Sequence, residues 1–321
     1  MGCIRISASV LVITGGIGEF HLESYEEIER TDTIGRINGT KVKAAVRINP
    51  VSSSQAGAMR MGGKPTAFGF DEEDLEGLLQ AITRATKIDL VGVHVYGWTQ
   101  ILDADALTRQ WRHAIDLAVR VATQLGKPLK TIDLGGGLGI PYHSGEKTLD
   151  LEAVAAAMPP LFTVLKSNPL IANARLIVEP GHFLVGPAGL YVVSVNAVKH
   201  SRGKRFLITD GGMHHHLAAS GNLGQIIKRD YPIVAPTKMD AVRLYDATVV
   251  GPLCTPLDTL ARGALLPDLV SGDLIAILQS GAYGPTASPG NFLSHPPTAE
   301  VLIESGALKI INAHSVSCFL S

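Results

Sequence analysis

An α/β chain in two parts is what the sequence predicts: βα units on a parallel sheet across residues 1–186, then an antiparallel β-barrel or sandwich across 187–321. Three observations carry this. From about residue 20 to 186, short β-branched runs alternate with helical patterns, as parallel βα units require. After Pro187, strand-like runs follow one another across turn residues, with no long helical pattern between them. A composition of 46% hydrophobic against 18% charged residues over 321 positions supplies apolar surface for large cores.

The elements follow in order. Strands are read at 43–50 (KAAVRINP), 89–97 (DLVGVHVYG), 130–137 (KTIDLGGG) and 174–181 (ARLIVEPG). Between them, 71–86 and 103–126 place Asp near their starts and apolar residues at three-to-four spacing, and Gly126 stops the second, so both read as crossover helices. In the second part GLYVVSVNAVKH, KRFLITDGG, RLYDATVVGP, GDLIAILQSGAYG and AEVLIES read as strands.

Charge excludes some partners. With 28 basic and 29 acidic residues and no basic cluster, the chain has no electrostatic footprint for nucleic acid. Cys3, Cys254 and Cys318 match neither a metal spacing nor a disulfide framework, which points to a reducing, cytoplasmic setting. The apolar run near the N-terminus is far shorter than the about 20 residues that span a bilayer, so no membrane association is expected. Ile6 breaks the myristoylation pattern, and the sequon at Asn38 carries no weight in such a setting.

The segment TIDLGGGLGIPY, 131–142, runs a strand straight into Gly135, Gly136 and Gly137. Glycines at the C-terminal rim of a parallel sheet can turn bare N–H groups toward an anion, because they accept positive φ and close approach. A tight turn with no ligand is the alternative. Nucleotide motifs fail on spacing: a GxGxxG counted from Gly135 needs glycine where Ile140 stands, and Glu146 separates Gly145 from Lys147. Three consecutive histidines, His214 to His216, invite a metal reading, but a strand there would point neighbours to opposite faces, so no metal is expected.

Six ordered motifs decide between the readings of the glycines. GVHVYGWTQ (92–100), IDLGGGLGIPY, VEPGHFLVG (178–186), ITDGGMHHHL (208–217), GPLCTPLD (251–258) and GDLIAILQSGAYG (272–284) together resemble the fold-type III pyridoxal-phosphate-dependent decarboxylases, from about residue 17 to 305. That family includes the ornithine, arginine and diaminopimelate decarboxylases. DGGMHHHLAASGN and GPLCTPLD most resemble its branch acting on a carrier-protein-linked glutamyl group, as in the butirosin pathway, together with the exosortase-associated decarboxylases.

The resemblance implies an incomplete (β/α)8, TIM-type barrel at 1–186, pyridoxal 5'-phosphate as cofactor, and a homodimer with active sites at its interface. It implies phosphate donors at Gly135, Gly136, Gly137, Thr99 and Tyr283, and a ring-nitrogen partner in Glu179, within the EPG motif that also contains Gly181. Arg47 and Tyr96 would lie by the ring, with Tyr96 replacing a stacking histidine. Cys254 and Asp258 would enter the partner's active site, the cysteine delivering a proton. His215, Lys228 and Arg229 would contact an amino-acid substrate, free or on an acyl-carrier protein. A solvated loop pair is the alternative for Lys228 and Arg229.

Three departures temper this. The strand-end lysine that anchors the cofactor aldehyde is not found, and IGEFHLESYEEIER resembles the fourth or fifth barrel unit, so an N-terminally truncated, catalytically impaired chain is expected. The alternative is a non-catalytic cofactor-binding or interaction remnant of the family. Trp98 replaces a small residue and is expected to crowd the cofactor, and His182 replaces the permanent cation of the family's EPGR.

Overall fold

The computed structural model describes residues 6–51, 59–60, 65–143, 145–223, 225 and 228–312. Cys3 and Cys318 lie outside them. The chain divides into two compact units, one of residues 1–140 with 147–180, the other of 141–146 with 181–321.

The first unit runs α1 (Ile6–Thr14), β1 (Phe20–Leu22), α2 (Tyr25–Ile37), β2 (Val42–Asn49), β3 (Met59–Arg60), β4 (Phe70–Asp71), α3 (Leu75–Arg84), β5 (Ile88–Val95), β6 (Trp98–Thr99), α4 (Ala104–Leu125), β7 (Thr131–Asp133), α5 (Leu151–Ser167) and β8 (Arg175–Ile177). Strands β1, β2, β5, β7 and β8 pair in that order, all parallel, and β4 adds to β2. Among the described residues β1 and β8 each pair on one side only, so the sheet is an open arc of the predicted barrel type.

Local chemistry sets the helix limits. Ser24 Oγ accepts the Glu27 N–H at the start of α2, Asp103 Oδ1 accepts that of Ala106 before α4, and Asp150 Oδ1 accepts that of Ala153 before α5. Gly126 closes α4 with φ +63°, a left-handed cap suited to glycine. The Asn38 side chain donates to Ile34 O and caps α2. Leu107, Ile115, Leu117 and Val121 on α4 are fully buried, and each contributes about 1.5–3 kcal/mol by leaving water. Helix α5, absent from the sequence reading, forms despite Pro159 and Pro160 by burying Val154, Leu161 and Leu165.

The second unit holds the short α6 (Gly181–Val185), then β9 (Tyr191–Ser201), β10 (Lys204–Thr209), β11 (Ile233–Val234), β12 (Tyr245–Val250), β13 (Thr259–Leu266), β14 (Leu274–Ile277), β15 (Glu300–Glu304) and β16 (Ala307–Asn312). Its main sheet has the order β11-β14-β9-β10-β12-β13. The expectation of a purely antiparallel domain is corrected at one seam. The long excursion after β10 returns as β12 in the same direction, and the two pair in parallel. Strands β15 and β16 form a separate hairpin.

Candidate active site

The C-terminal ends of the first unit's strands gather its polar residues. After β7 the chain turns through Gly135 at φ +68° and Gly137 at φ +101°, angles that side chains rarely adopt. Side chains are also excluded by space: a Cβ on Gly135 would stand 2.7 Å from Val95 O, and one on Gly136 2.8 Å from Glu179 O. The Gly135 N–H, expected to bind phosphate, instead donates to Asp133 Oδ1 at 2.9 Å. Among the described residues the Gly136 and Gly137 N–H groups meet no acceptor. The side-chain amide of Gln110 is likewise buried without a partner among them, its Nε2 3.5 Å from where a Gly137 Cβ would stand.

Glu179 is tied to this loop by its backbone N–H, which donates to Gly135 O at 2.9 Å, while its side chain is 48% exposed. Arg47 is buried and pairs with Glu23 at 2.8 Å, its guanidinium 5.0 Å from the Phe68 ring centre and 5.5 Å from that of Tyr96. Thr99 is buried on β6. Trp98, expected to crowd the cofactor, is packed in the hydrophobic core of the unit.

Sequence reasoning missed a buried polar set beneath these residues. His94 and Asp133 are buried and His21 half-buried, with ligating atoms within 4.8 Å of one another. Burial, then the neighbouring His21 and Arg47, pushes His94 down to about 3. Burial pushes Asp133 up to about 6, against the Gly135 N–H bond that lowers it. Hydrogen bonding to Glu19 raises His21. The available signal was period two: His94 stands two residues before Tyr96, and so shares its face.

In the second unit, Asp258 is a brace. It is buried, with Oδ1 accepting Met213 N–H at 2.6 Å and Oδ2 accepting Leu253 N–H at 2.9 Å. Its neighbour on the same loop, Cys254, is a free thiol and exposed. His182 lies on α6, where the Tyr142 hydroxyl reaches its Nδ1 at 2.5 Å and the Tyr283 ring lies 4.8 Å away. Burial lowers His182, so the lost cation of the motif is not restored there at neutral pH. Tyr283 is half exposed with φ +53°, after a Gly281 whose Cβ would come within 1.7 Å of Val185 O. Gly181 meets no such crowding.

Two basic side chains have partners within the unit, and one expectation is corrected. Arg229 is engaged by Glu146 at 2.8 Å, and Lys228 hydrogen-bonds Asn222. Residues 213–215 form a turn rather than a strand, so the alternation argument against His214 and His215 converging fails: their rings lie 3.8 Å apart. His215 is held between the Tyr191 hydroxyl at 3.1 Å and Pro296 O at 2.8 Å, while both ring nitrogens of His214 are buried without a partner among the described residues.

A parallel α/β sheet carrying a glycine cradle and an acid beside it at its strand ends defines a cofactor-phosphate-binding class. Residues 3–186 match the family model described as pyridoxal-dependent decarboxylase, pyridoxal binding domain. The chain belongs to the pyridoxal-dependent decarboxylases, whose cofactor is pyridoxal 5'-phosphate. It is 35% identical over 304 residues to the L-glutamyl-[BtrI acyl-carrier protein] decarboxylase of Niallia circulans, covering 94% of this chain and 71% of that one. It is 30% identical to the diaminopimelate decarboxylase of Aquifex aeolicus, covering 91% and 66%. The crystal structure of the Helicobacter pylori diaminopimelate decarboxylase complexed with L-lysine superposes with a TM-score of 0.81 at 26% identity, over 97% of this chain and 74% of that one. The family match begins at residue 3, ahead of the residue 17 from which the motifs were read. Among the described residues no helix is long and apolar enough to cross a membrane.

The residues present fit the cofactor on two observations of this fold. Among the described residues two loop N–H groups stand unengaged where a side chain could not be accommodated, and a half-exposed carboxylate lies two residues beyond the end of the neighbouring strand.

Proposed function

We propose that this chain serves pyridoxal-phosphate-dependent decarboxylation of an amino acid, and that the substrate is a glutamyl group linked to a carrier protein. The observation that carries the cofactor reading is the pair of open amides at Gly136 and Gly137 beside Glu179. The greater identity to the carrier-linked glutamyl decarboxylase than to the diaminopimelate enzyme supports the substrate class.

When bound, the cofactor ring accepts the electron pair left as the α-carboxylate departs as CO2. This chain's residues do the rest. Gly136 and Gly137 would donate N–H groups to its phosphate, with Thr99 and Tyr283 as hydroxyl donors. Glu179 would accept a hydrogen bond from the protonated ring nitrogen, Tyr96 would offer an aromatic face, and Arg47, held by Glu23, would place its guanidinium beside the ring. In a homodimer, the Cys254 Sγ–H gives the α-carbon its proton, on a loop that Asp258 keeps in shape. His215, Lys228 and Arg229 would face the substrate. No lysine of this sequence stands in the strand-end context that the resemblance gives to the aldehyde anchor.

Titration of the protein with pyridoxal phosphate, followed by absorbance, tests the cradle. Gly136→Ala, whose Cβ would press on Glu179 O, should weaken binding about tenfold or more; unchanged affinity overturns the reading. Release of CO2 from a carrier-bound glutamyl thioester, and not from diaminopimelate, supports the substrate class, and the reverse refutes it. Binding without any borohydride-trapped lysine and without CO2 release makes the chain a non-catalytic cofactor binder.

A further inference from the structure

A line of side chains runs under the strand ends of the first unit. The Thr131 hydroxyl donates to Glu19 Oε2 at 2.7 Å, and Glu19 Oε1 meets His21 Nε2 at 3.2 Å. His21 Nδ1 meets His94 Nδ1 at 3.2 Å, and His94 Nε2 faces Glu179 Oε2 at 3.8 Å.

Hydrogen counting leaves two arrangements of this line, and the charges around each ring choose between them. Two Nδ1 atoms in contact share one hydrogen, because two bare nitrogens would repel and two N–H groups would clash. Glu19 is an acceptor, so His21 Nε2 carries a hydrogen. His21 has carboxylates around it, Glu19 at its ring and Asp133 and Glu179 nearby, and it is the ring that takes the extra proton. His94 is buried and faces cations, His21 and Arg47, as well as the carboxylates Asp133 and Glu179 and the ring of Tyr96. It stays neutral, accepts at Nδ1 from His21, and keeps its own hydrogen on Nε2. That Nε2 is buried with no hydrogen-bond partner among the described residues, a costly state for a donor. The half-exposed Glu179 carboxylate is the acceptor in front of it, needing a swing of roughly 1 Å to reach an N–H···O distance.

We propose that His94 is a positioning residue that presents Nε2–H to Glu179 and fixes the orientation of that carboxylate, with Glu19 and His21 selecting the tautomer. Its importance for catalysis rests on the proposed function, but the hydrogen bond requires no cofactor and is tested without it. A divalent metal on His21, His94 and Asp133 is the competing use of the same residues. It is disfavoured because the two Nδ1 atoms already satisfy each other and Asp133 Oδ1 is taken by Gly135.

Nitrogen-15 NMR of the histidine rings in cofactor-free protein decides. Between about pH 5 and 6.5, where His21 holds its extra proton, His94 should be neutral with its hydrogen on Nε2. Solvent exchange of that hydrogen should quicken about tenfold in Glu179→Ala and remain slow in Glu179→Gln, whose amide oxygen still accepts. Pyridoxal phosphate affinity should fall about tenfold in His94→Leu and be rescued in His94→Gln, which retains a donor. A hydrogen on Nδ1 of His94, an exchange rate indifferent to Glu179→Ala, or stoichiometric zinc binding lost in His21→Ala would each overturn the proposal. Should the tautomer and exchange results hold while no variant binds pyridoxal phosphate, the cofactor reading fails and the contact stands.

Discussion

Asp133 in the first unit and Asp258 in the second are equally buried at 2% exposure, and each follows or precedes a glycine turn, yet they do opposite things to their surroundings. Asp258 receives two backbone N–H groups, from Met213 and Leu253, and is gripped so closely that a Cβ on Gly212 or Gly251 would come within 2.2 Å of its oxygens. Asp133 receives one, from Gly135, and shares its surroundings with Glu179 and Glu19. A buried carboxylate is a brace where donors saturate it and a cost where they do not. The second unit therefore spends its aspartate on holding the Cys254 loop in shape, while the first keeps a poorly satisfied one beneath the loop proposed to hold phosphate.

The comparison breaks most easily at Asp258. Its replacement by alanine strands two backbone donors and should destabilise the protein by about 3 kcal/mol, read from urea unfolding; a loss below about 1 kcal/mol would show the brace to be dispensable. Gly251→Ala comes next, with about 1–3 kcal/mol expected from overpacking against the same carboxylate. In an Asp258→Ala background the added methyl has room, so the two losses should not add. Additive losses would mean that Gly251 is required by something other than Asp258.

How much was legible follows from sequence distance. Gly135 and Gly137 announce themselves because the turn needs positive φ, which is a local property, and the strands and crossover helices announce themselves by periodicity. The pairings beneath them are not local: His21 reaches His94 across 73 positions, Thr131 reaches Glu19 across 112, and Arg229 finds Glu146 across 83. No spacing rule exposes such contacts. The histidine run misled for a related reason. The strand before it ends at Thr209, and the N–H groups of both His215 and His216 return to Gly212 O, so a turn replaces the alternation that the residue types suggested. Helix α5 was hidden by Pro159 and Pro160, which count against a helix locally and are outweighed by the burial of Val154, Leu161 and Leu165.

The smallest effect tests the other half of the comparison, and its sign depends on pH. Asp133→Asn keeps an oxygen for the Gly135 N–H and removes the buried charge. Asp133 is pushed up to about 6 from 3.8, so the folded protein binds this proton more tightly than the unfolded chain does. The stability it contributes is fully present below pH 3.8 and is lost as pH rises through about 6, after which the penalty of the charge is constant. Asn carries no such penalty. The variant should match the parent near pH 3.5, gain on it progressively between about pH 4 and 6, and melt higher at pH 7 by roughly 2–4 °C for each kcal/mol removed. Melting curves for the two proteins across that range supply the check. A variant less stable than the parent at pH 7 would mean that the attraction of His21 for the carboxylate outweighs its burial, and Asp133 would then belong with Asp258 as a brace.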